Sequence, residues 1–237
     1  CDWQELKALA DRYRLQLVND NCHAMGAEYL NEAGYAVKYA DVVTQSYHPV
    51  KHITTGEGGA VLSNQDDIVE KVRLLRTHGA KQRPSDEHSA VGEPWRYDMV
   101  ELGFNYRITD FQCALGLTQL RKLKWFLSER RRLASIYKEV LRDVSAVICP
   151  SEESSIKHAY HLFPIQVDFD SVGISKEGFF SKFREHSVSL QVHYTPIHLQ
   201  PYYRKRYGFA PGDFPNAEDY YSRTVTLPLY PGLEDSD

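Results

Sequence analysis

Apolar residues recur along the first half of the chain in two rhythms, one helical and one strand-like. The switches between them predict alternating helices and strands. After Asp2, a residue suited to capping, Leu6, Leu9, Ala10 and Tyr13 follow at helical spacing. Leu15 to Val18 reads as a short buried strand that ends at Asn19-Asp20-Asn21. Asp41 to Tyr47 predicts a second strand and Gly59 to Ser63 a third, with a Gly-rich turn between them. Asn64 is placed to cap a helix whose apolar positions Ile68, Val72 and Leu75 run on to His78-Gly79. Residues 80 to 98 are polar and contain proline, which predicts a long loop. Phe111, Ala114, Leu115, Leu117, Leu120 and Leu123 mark the buried side of an amphipathic helix, and a second helix is expected from Ser128 to Val144.

Past the turn-like Cys149 to Ser155 the order of elements changes. Tyr160 to Val167 is strand-like, Lys176 to His186 helical, and Val188 to Tyr194 alternates as a strand. Tyr-rich, Pro-punctuated sequence follows, then a short helix near Ala217 to Ser222 and a last strand from Thr224 to Leu229. This is an α+β unit behind a connecting helix, and the boundary between the two domains is expected near residue 130.

Composition narrows the function class mainly by exclusion. With 42% hydrophobic and 25% charged residues in 237, the chain is an ordinary globular protein with enough length for one large domain or two smaller ones. A net charge of -4 carries no basic footprint for nucleic acid. The densest basic run, Glu129-Arg130-Arg131-Arg132, reads as a solvated helix face or a subunit contact. Cys1, Cys22, Cys113 and Cys149 form no CxxC pair and read as reduced thiols, which suits a cytoplasmic protein. No apolar run reaches the ~18 residues of a membrane span. His48 and His52 are four apart, but Pro49 between them disfavours the helix that would pair them on a metal, so no metal site is expected.

The candidate chemistry centres on Lys51, which sits in the turn between two strands rather than on a charged helix face. An unprotonated lysine attacks carbonyls, and burial or a cationic neighbour brings a lysine toward that state. A lysine bound to pyridoxal phosphate (PLP) needs a carboxylate for the pyridine nitrogen and hydroxyls or amides for the phosphate. Asp20 stands at a strand end, Ser46 at the end of the next, and Lys51 just beyond, so all three could open onto one edge of a sheet. Each also has a plain reading: Asp20 as a cap for a helix starting near Cys22, Ser46 as a structural residue, Lys51 as a surface lysine.

In order along the chain, Asn19 to Ala27, Ser46 to Gly59 and Gly103 to Arg107 resemble the DegT/DnrJ/EryC1/StrS sugar aminotransferases. The resemblance extends over the whole chain and implies an α/β fold. Residues 1–130 would be part of the PLP-binding large domain of an aspartate aminotransferase-like transferase (fold type I), and 131–237 its smaller α+β C-terminal domain. It also implies roles. Lys51 would be the Schiff-base lysine and proton shuttle, Asp20 the partner of the pyridine nitrogen, His23 a neighbour of the 3-hydroxyl and Ser46 a phosphate ligand. Asn105 would reach the phosphate of a neighbouring subunit, implying a homodimer with shared sites. Val192 to Ile197 and Pro215 to Glu218 are most similar to the branch serving pseudaminic acid and related polysaccharide biosynthesis. That branch moves the amino group of L-glutamate to C4 of a UDP-linked 4-keto-6-deoxy-N-acetyl sugar. His193 and Tyr194 would then lie near the sugar nucleotide, although His193 and His198 are as readily core or interface histidines.

The resemblance also carries a departure. Family members have roughly another third of a chain ahead of the position of Cys1, with a phosphate loop and a ring that stacks on the cofactor, and a final helix. The sequence is therefore expected to be a fragment truncated at both ends. Two other readings follow: a sugar dehydratase of the same fold, disfavoured because Lys51 is a lysine and not a histidine, and an inactive fragment serving only as a dimerisation module.

Overall fold

The computed structural model describes residues 1–82, 95 and 97–234. They form two compact units, Cys1–Leu123 and Lys124–Asp237. No helix among the described residues is long and apolar enough to cross a membrane.

The first unit runs α1 (Trp3–Tyr13), β1 (Val18–Asp20), β2 (Glu28–Tyr29), α2 (Tyr35–Tyr39), β3 (Val42–Ser46), β4 (Gly59–Leu62), α3 (Asp66–Leu75), β5 (Ala80–Gln82), β6 (Tyr97–Met99) and the start of α4 (Asp110–Val140). The Asp2 carboxylate accepts the Gln4 and Glu5 amides at 3.0 Å each and caps α1 as its position predicts. The sheet has the order β1-β3-β4, with β1 parallel and β4 antiparallel to β3. Val43 at its centre is fully buried, and Tyr29, Tyr35 and Tyr39 pack as an aromatic cluster nearby.

Several boundaries differ from expectation, for reasons visible in the hydrogen bonds. The first strand begins at Val18 rather than Leu15, because the preceding donors are already spent. The Leu15 amide closes α1 on the Ala10 carbonyl (2.8 Å), and the Leu17 amide donates to the Asp41 carboxylate (2.7 Å). Asn64 does not cap α3. Its amide donates to the Val37 carbonyl (2.8 Å), and the residue in the cap position is Gln65. The helix stops at Leu75, short of Gly79. Gly79 has φ 66° and interlocks with Gly103: a Cβ on Gly103 would stand 2.1 Å from the Gly79 nitrogen. The two ends of the expected 80–98 loop are paired strands, β5 with β6, and the rest of that stretch apart from Trp95 lies outside the described residues.

The two expected helices from 111 to 144 are one, α4, since Lys124-Trp125-Phe126-Leu127 contains no glycine or proline to break it. Its expected buried side is largely exposed among the described residues: Phe111 is 91% exposed, with Leu115, Leu117 and Leu120 also exposed. The amphipathic pattern is present, and Leu117 and Leu120 face open space shared with residues of β3, β4 and α3.

The second unit contains the rest of α4, β7 (Val147–Ile148), β8 (Ile156–Lys157), β9 (Phe163–Val167), α5 (Phe169–Val172), α6 (Lys176–Glu185), α7 (Pro201–Tyr207), α8 (Pro215–Arg223) and β10 (Thr224–Leu227). Its sheet is antiparallel in the order β10-β9-β7. Phe163, Ile165 and Val167 alternate inward along β9 and meet Val225 and Leu227 with Leu133 and Ala134 of α4. A fully buried Phe163 or Val225 contributes about 1.5–3 kcal/mol.

Two expectations fail here. Val188 to Tyr194 is not a strand: only Gln191 pairs with β10, through Thr226, before the chain leaves into a 3-10 turn at Ile197–Leu199. The Tyr-rich stretch, for which the pattern predicts no element, forms α7 at 201–207 with Pro201 in its first turn, where the missing N–H costs nothing. Arg130, read as part of a solvated face or subunit contact, is 5% exposed. Its Nη1 donates to the carbonyls of Tyr160 (3.1 Å), His161 (3.2 Å) and Leu229 (2.8 Å).

Candidate active site

The parallel register of β1 and β3 sets Asp20 beside Thr44, and Ser46 follows two residues on, on the same face of β3. The Asp20 Oδ1 accepts the Cys22 amide at 3.2 Å and the Thr44 hydroxyl at 3.4 Å. No helix starts at Cys22; residues 21–27 are turns, pinned where Asn21 donates its amide to the Thr44 carbonyl (3.0 Å) and accepts from the Tyr35 hydroxyl (3.0 Å). Asp20 thus caps a turn and faces outward, exposed.

Donors surround this carboxylate. The Cys22 thiol, then the Cys22 amide, hold Asp20 below the usual carboxylate range; Thr44 and the charge of His23 act in the same direction. Burial and the neighbouring carboxylate push the Cys22 thiol up, while the positive charge of Lys51 opposes them, so Lys51 lies within electrostatic reach of Cys22. The β1–β3 register thus brings the Asp20 carboxylate, the Thr44 hydroxyl and the amide and thiol of Cys22 together at one sheet edge.

Lys51 is half-buried in the turn after β3. Its amide donates to the His48 carbonyl (2.9 Å), the Val50 amide to the His48 ring (3.3 Å) and the His48 amide to the Ser46 hydroxyl (3.4 Å). The far limb of the turn is tied back by the Tyr47 amide to the Gly58 carbonyl (2.9 Å) and the Thr55 amide to the Tyr47 carbonyl (3.0 Å). This lattice of local bonds places Lys51 without a regular element beneath it.

A cavity of about 900 Å³ opens beside the sheet in the same unit, lined by Thr44, Gln45, Val61, Val72, Leu117 and Leu120 among others. Its volume is that of a small-molecule site, and its lining is largely apolar. Gln45 Oε1 is buried without a hydrogen-bond partner.

The other candidates lie elsewhere. Asn105 is exposed on the strap after β6, where its backbone bridges Thr77 at the end of α3. Among the described residues it shares no hydrogen bond with the Asp20 cluster. His193 and Tyr194 belong to the second unit: the His193 Nδ1 meets the Thr226 hydroxyl at 2.8 Å, and Tyr194 is 63% exposed with its ring edge-on to His193. His198 is buried, with Nε2 2.8 Å from Glu218 Oε1, which also accepts the Gly212 amide (2.7 Å). His198 is thus a core histidine. Among the described residues no group of three or more His, Cys, Asp and Glu is arranged to hold a metal.

Sequence reasoning missed Cys22, Thr44 and the cavity. Thr44 had a usable signal: two residues before Ser46, it shares a strand face with it. Cys22 had none, because turn geometry aims its thiol.

The donor set fits PLP. A carboxylate held low by its donors suits a pyridinium nitrogen, and the Ser46 hydroxyl at a strand end suits a phosphate.

The model of the DegT/DnrJ/EryC1/StrS aminotransferase family matches residues 1–237. An uncharacterized protein of Methanocaldococcus jannaschii is 36% identical over 237 residues, covering all of this chain and 61% of that protein. The UDP-4-amino-4,6-dideoxy-N-acetyl-beta-L-altrosamine transaminase of Campylobacter jejuni is 34% identical over 229 residues, covering 97% of this chain and 57% of that enzyme. Among solved structures, the PseC aminotransferase of Helicobacter pylori, involved in pseudoaminic acid biosynthesis, superposes with a TM-score of 0.87 at 28% identity. That match covers all of this chain and 60% of PseC. The chain spans about three fifths of the length of these relatives.

Proposed function

The chain belongs to the DegT/DnrJ/EryC1/StrS aminotransferase family, and from that membership we propose that it acts as a sugar aminotransferase. The proposed reaction moves the amino group of L-glutamate to the C4 keto carbon of a UDP-linked 4-keto-6-deoxy-N-acetyl sugar. Aminotransferases of this family depend on PLP. When bound, PLP supplies an electron sink that stabilises negative charge developing at the amine-bearing carbon. The observation that supports the reading is the β1–β3 register, which sets Asp20 beside Thr44, with Ser46 two residues on and Lys51 in the turn that follows.

In this reading the Lys51 amine anchors the cofactor and moves the proton to and from substrate C4. Asp20, held ionised, keeps the pyridine nitrogen protonated; His23 neighbours the ring hydroxyl and Ser46 binds the phosphate. Residues 1–130 serve as part of the PLP-binding domain and 131–237 as the small domain, whose His193 and Tyr194 meet the sugar nucleotide. Asn105 completes the site of a second copy, so the working species is a homodimer. Exposed Tyr97, Met99, Leu102, Phe104 and Tyr106 around Asn105 support an interface there. Four unpaired cysteines suit a cytoplasmic location.

The test is spectroscopic. Mixing the chain with PLP should produce an imine absorbance band that Lys51→Ala abolishes. An unchanged band in that variant, or none in the wild type, overturns the reading, and product analysis with glutamate and the keto sugar separates amino transfer from dehydration.

A further inference from the structure

We propose that Thr44 and Cys22 are positioning residues, a pair of side-chain donors that hold the Asp20 carboxylate in place for a cationic ring nitrogen. The proposal rests on the PLP reading of Asp20 given above.

The Asp20 and Thr44 side chains and the amide and thiol of Cys22 meet at the end of β1. The Thr44 hydroxyl is 3.4 Å from Asp20 Oδ1 and 4.0 Å from Cys22 Sγ, and the Cys22 amide is 3.2 Å from the same carboxylate oxygen. Their backbones are set independently. Thr44 sits in the β1–β3 ladder opposite Asp20, while Cys22 is fixed by the buried Asn21 between its bonds to the Thr44 carbonyl and Tyr35. An exposed aspartate at a strand end otherwise samples several rotamers and is solvated from all sides. A hydroxyl and a thiol on the two flanks restrict it and favour its charged form, in the same direction as His23. A plain reading exists for each: threonine as a strand former and cysteine as a small, half-buried apolar residue. That reading predicts that valine and alanine serve as well, because they keep shape and lose only the donor.

The experiment therefore separates donor from shape. The chain is prepared as Thr44→Val, Thr44→Ser, Cys22→Ala and Cys22→Ser. The Asp20 carboxyl is titrated by carbon-detected NMR without cofactor, and PLP affinity is measured by absorbance. Thr44→Val and Cys22→Ala should each move the Asp20 midpoint up toward the ordinary aspartate value and weaken PLP about threefold to tenfold, the worth of one hydrogen bond. Thr44→Ser and Cys22→Ser should stay near wild type in both readouts. If Thr44→Val and Cys22→Ala, folded by circular dichroism, leave the Asp20 titration unchanged, the proposal is overturned. If PLP binds neither wild type nor variants but the Asp20 midpoint still moves, the PLP reading fails while the donor pair stands.

Discussion

Replacing Arg130 with methionine tests how a charge comes to be the anchor of an apolar unit. Arg130 is 5% exposed, and its Nη1 alone reaches the carbonyls of Tyr160, His161 and Leu229, which lie where the chain enters β9 and leaves β10, at one end of that antiparallel pair. Arg130→Met keeps the apolar stem but leaves three buried carbonyls, each costing about 1–3 kcal/mol unpaired. Against this, burial already disfavours the arginine's charge, and its Nε has no partner. Relief of that desolvation returns part of the loss. Removing one side of a buried charged network costs about 3–5 kcal/mol net, which for a unit of this size lowers its melting temperature by roughly 10–20 °C. Scanning calorimetry should show that drop in one transition, with faster amide exchange along Thr224–Leu227. Arg132→Met is the control: Arg132 pairs with Glu129 at the surface and should stay within about 0.5 kcal/mol of wild type. An Arg130→Met chain melting within about 3 °C of wild type refutes the argument, because the three carbonyls would then be satisfied without it.

Two further outcomes follow from the same geometry. Burial pushes Glu152 up, but the Tyr160 hydroxyl (2.6 Å), the His158 amide (2.7 Å) and the Lys138 charge outweigh it and hold the carboxyl low. The stability it adds is full above its ordinary value of 4.5 and is lost as pH falls through the lowered one. Acid unfolding followed by circular dichroism should be shallower in Glu152→Gln, and an identical pH profile would count against the network. The face carrying Tyr97, Met99, Leu102, Tyr106 and Phe111 is 66–91% exposed. It offers on the order of 800 Å² of apolar surface, about one partner's share of a standard interface. Met99→Lys with Leu102→Lys should leave the melt unchanged and weaken self-association at least tenfold by sedimentation; unaltered association would move the interface elsewhere.

What the sequence disclosed depended on whether a residue's role is local or set by register. Asp20 and Ser46 could be read as candidates because each stands at a strand end, with Lys51 in the turn beyond, and strand ends are where an α/β sheet presents chemistry. The continuous α4 was hidden by the weak polar break at Lys124, and the strand at Val18 by donors that Ala10 and Asp41 take from outside the pattern. Arg130 was hidden for a deeper reason. Its neighbours Glu129, Arg131 and Arg132 make the segment look solvated, and only the return of residues 160, 161 and 229 gives one of the four a place to bury its charge. Composition reports the average of such a run, whereas folding acts on one position in it. The same holds for the stripe from Phe111 to Leu120, whose pattern calls for a covering surface while Phe111 stays exposed among the described residues. A helical pattern shows that a face must be covered, and structure alone shows by whom. The Asp20 cluster unites both cases: the carboxylate could be read as a candidate from its place in the sequence, while the neighbouring Thr44 hydroxyl required the β1–β3 register to bring position 20 beside position 44.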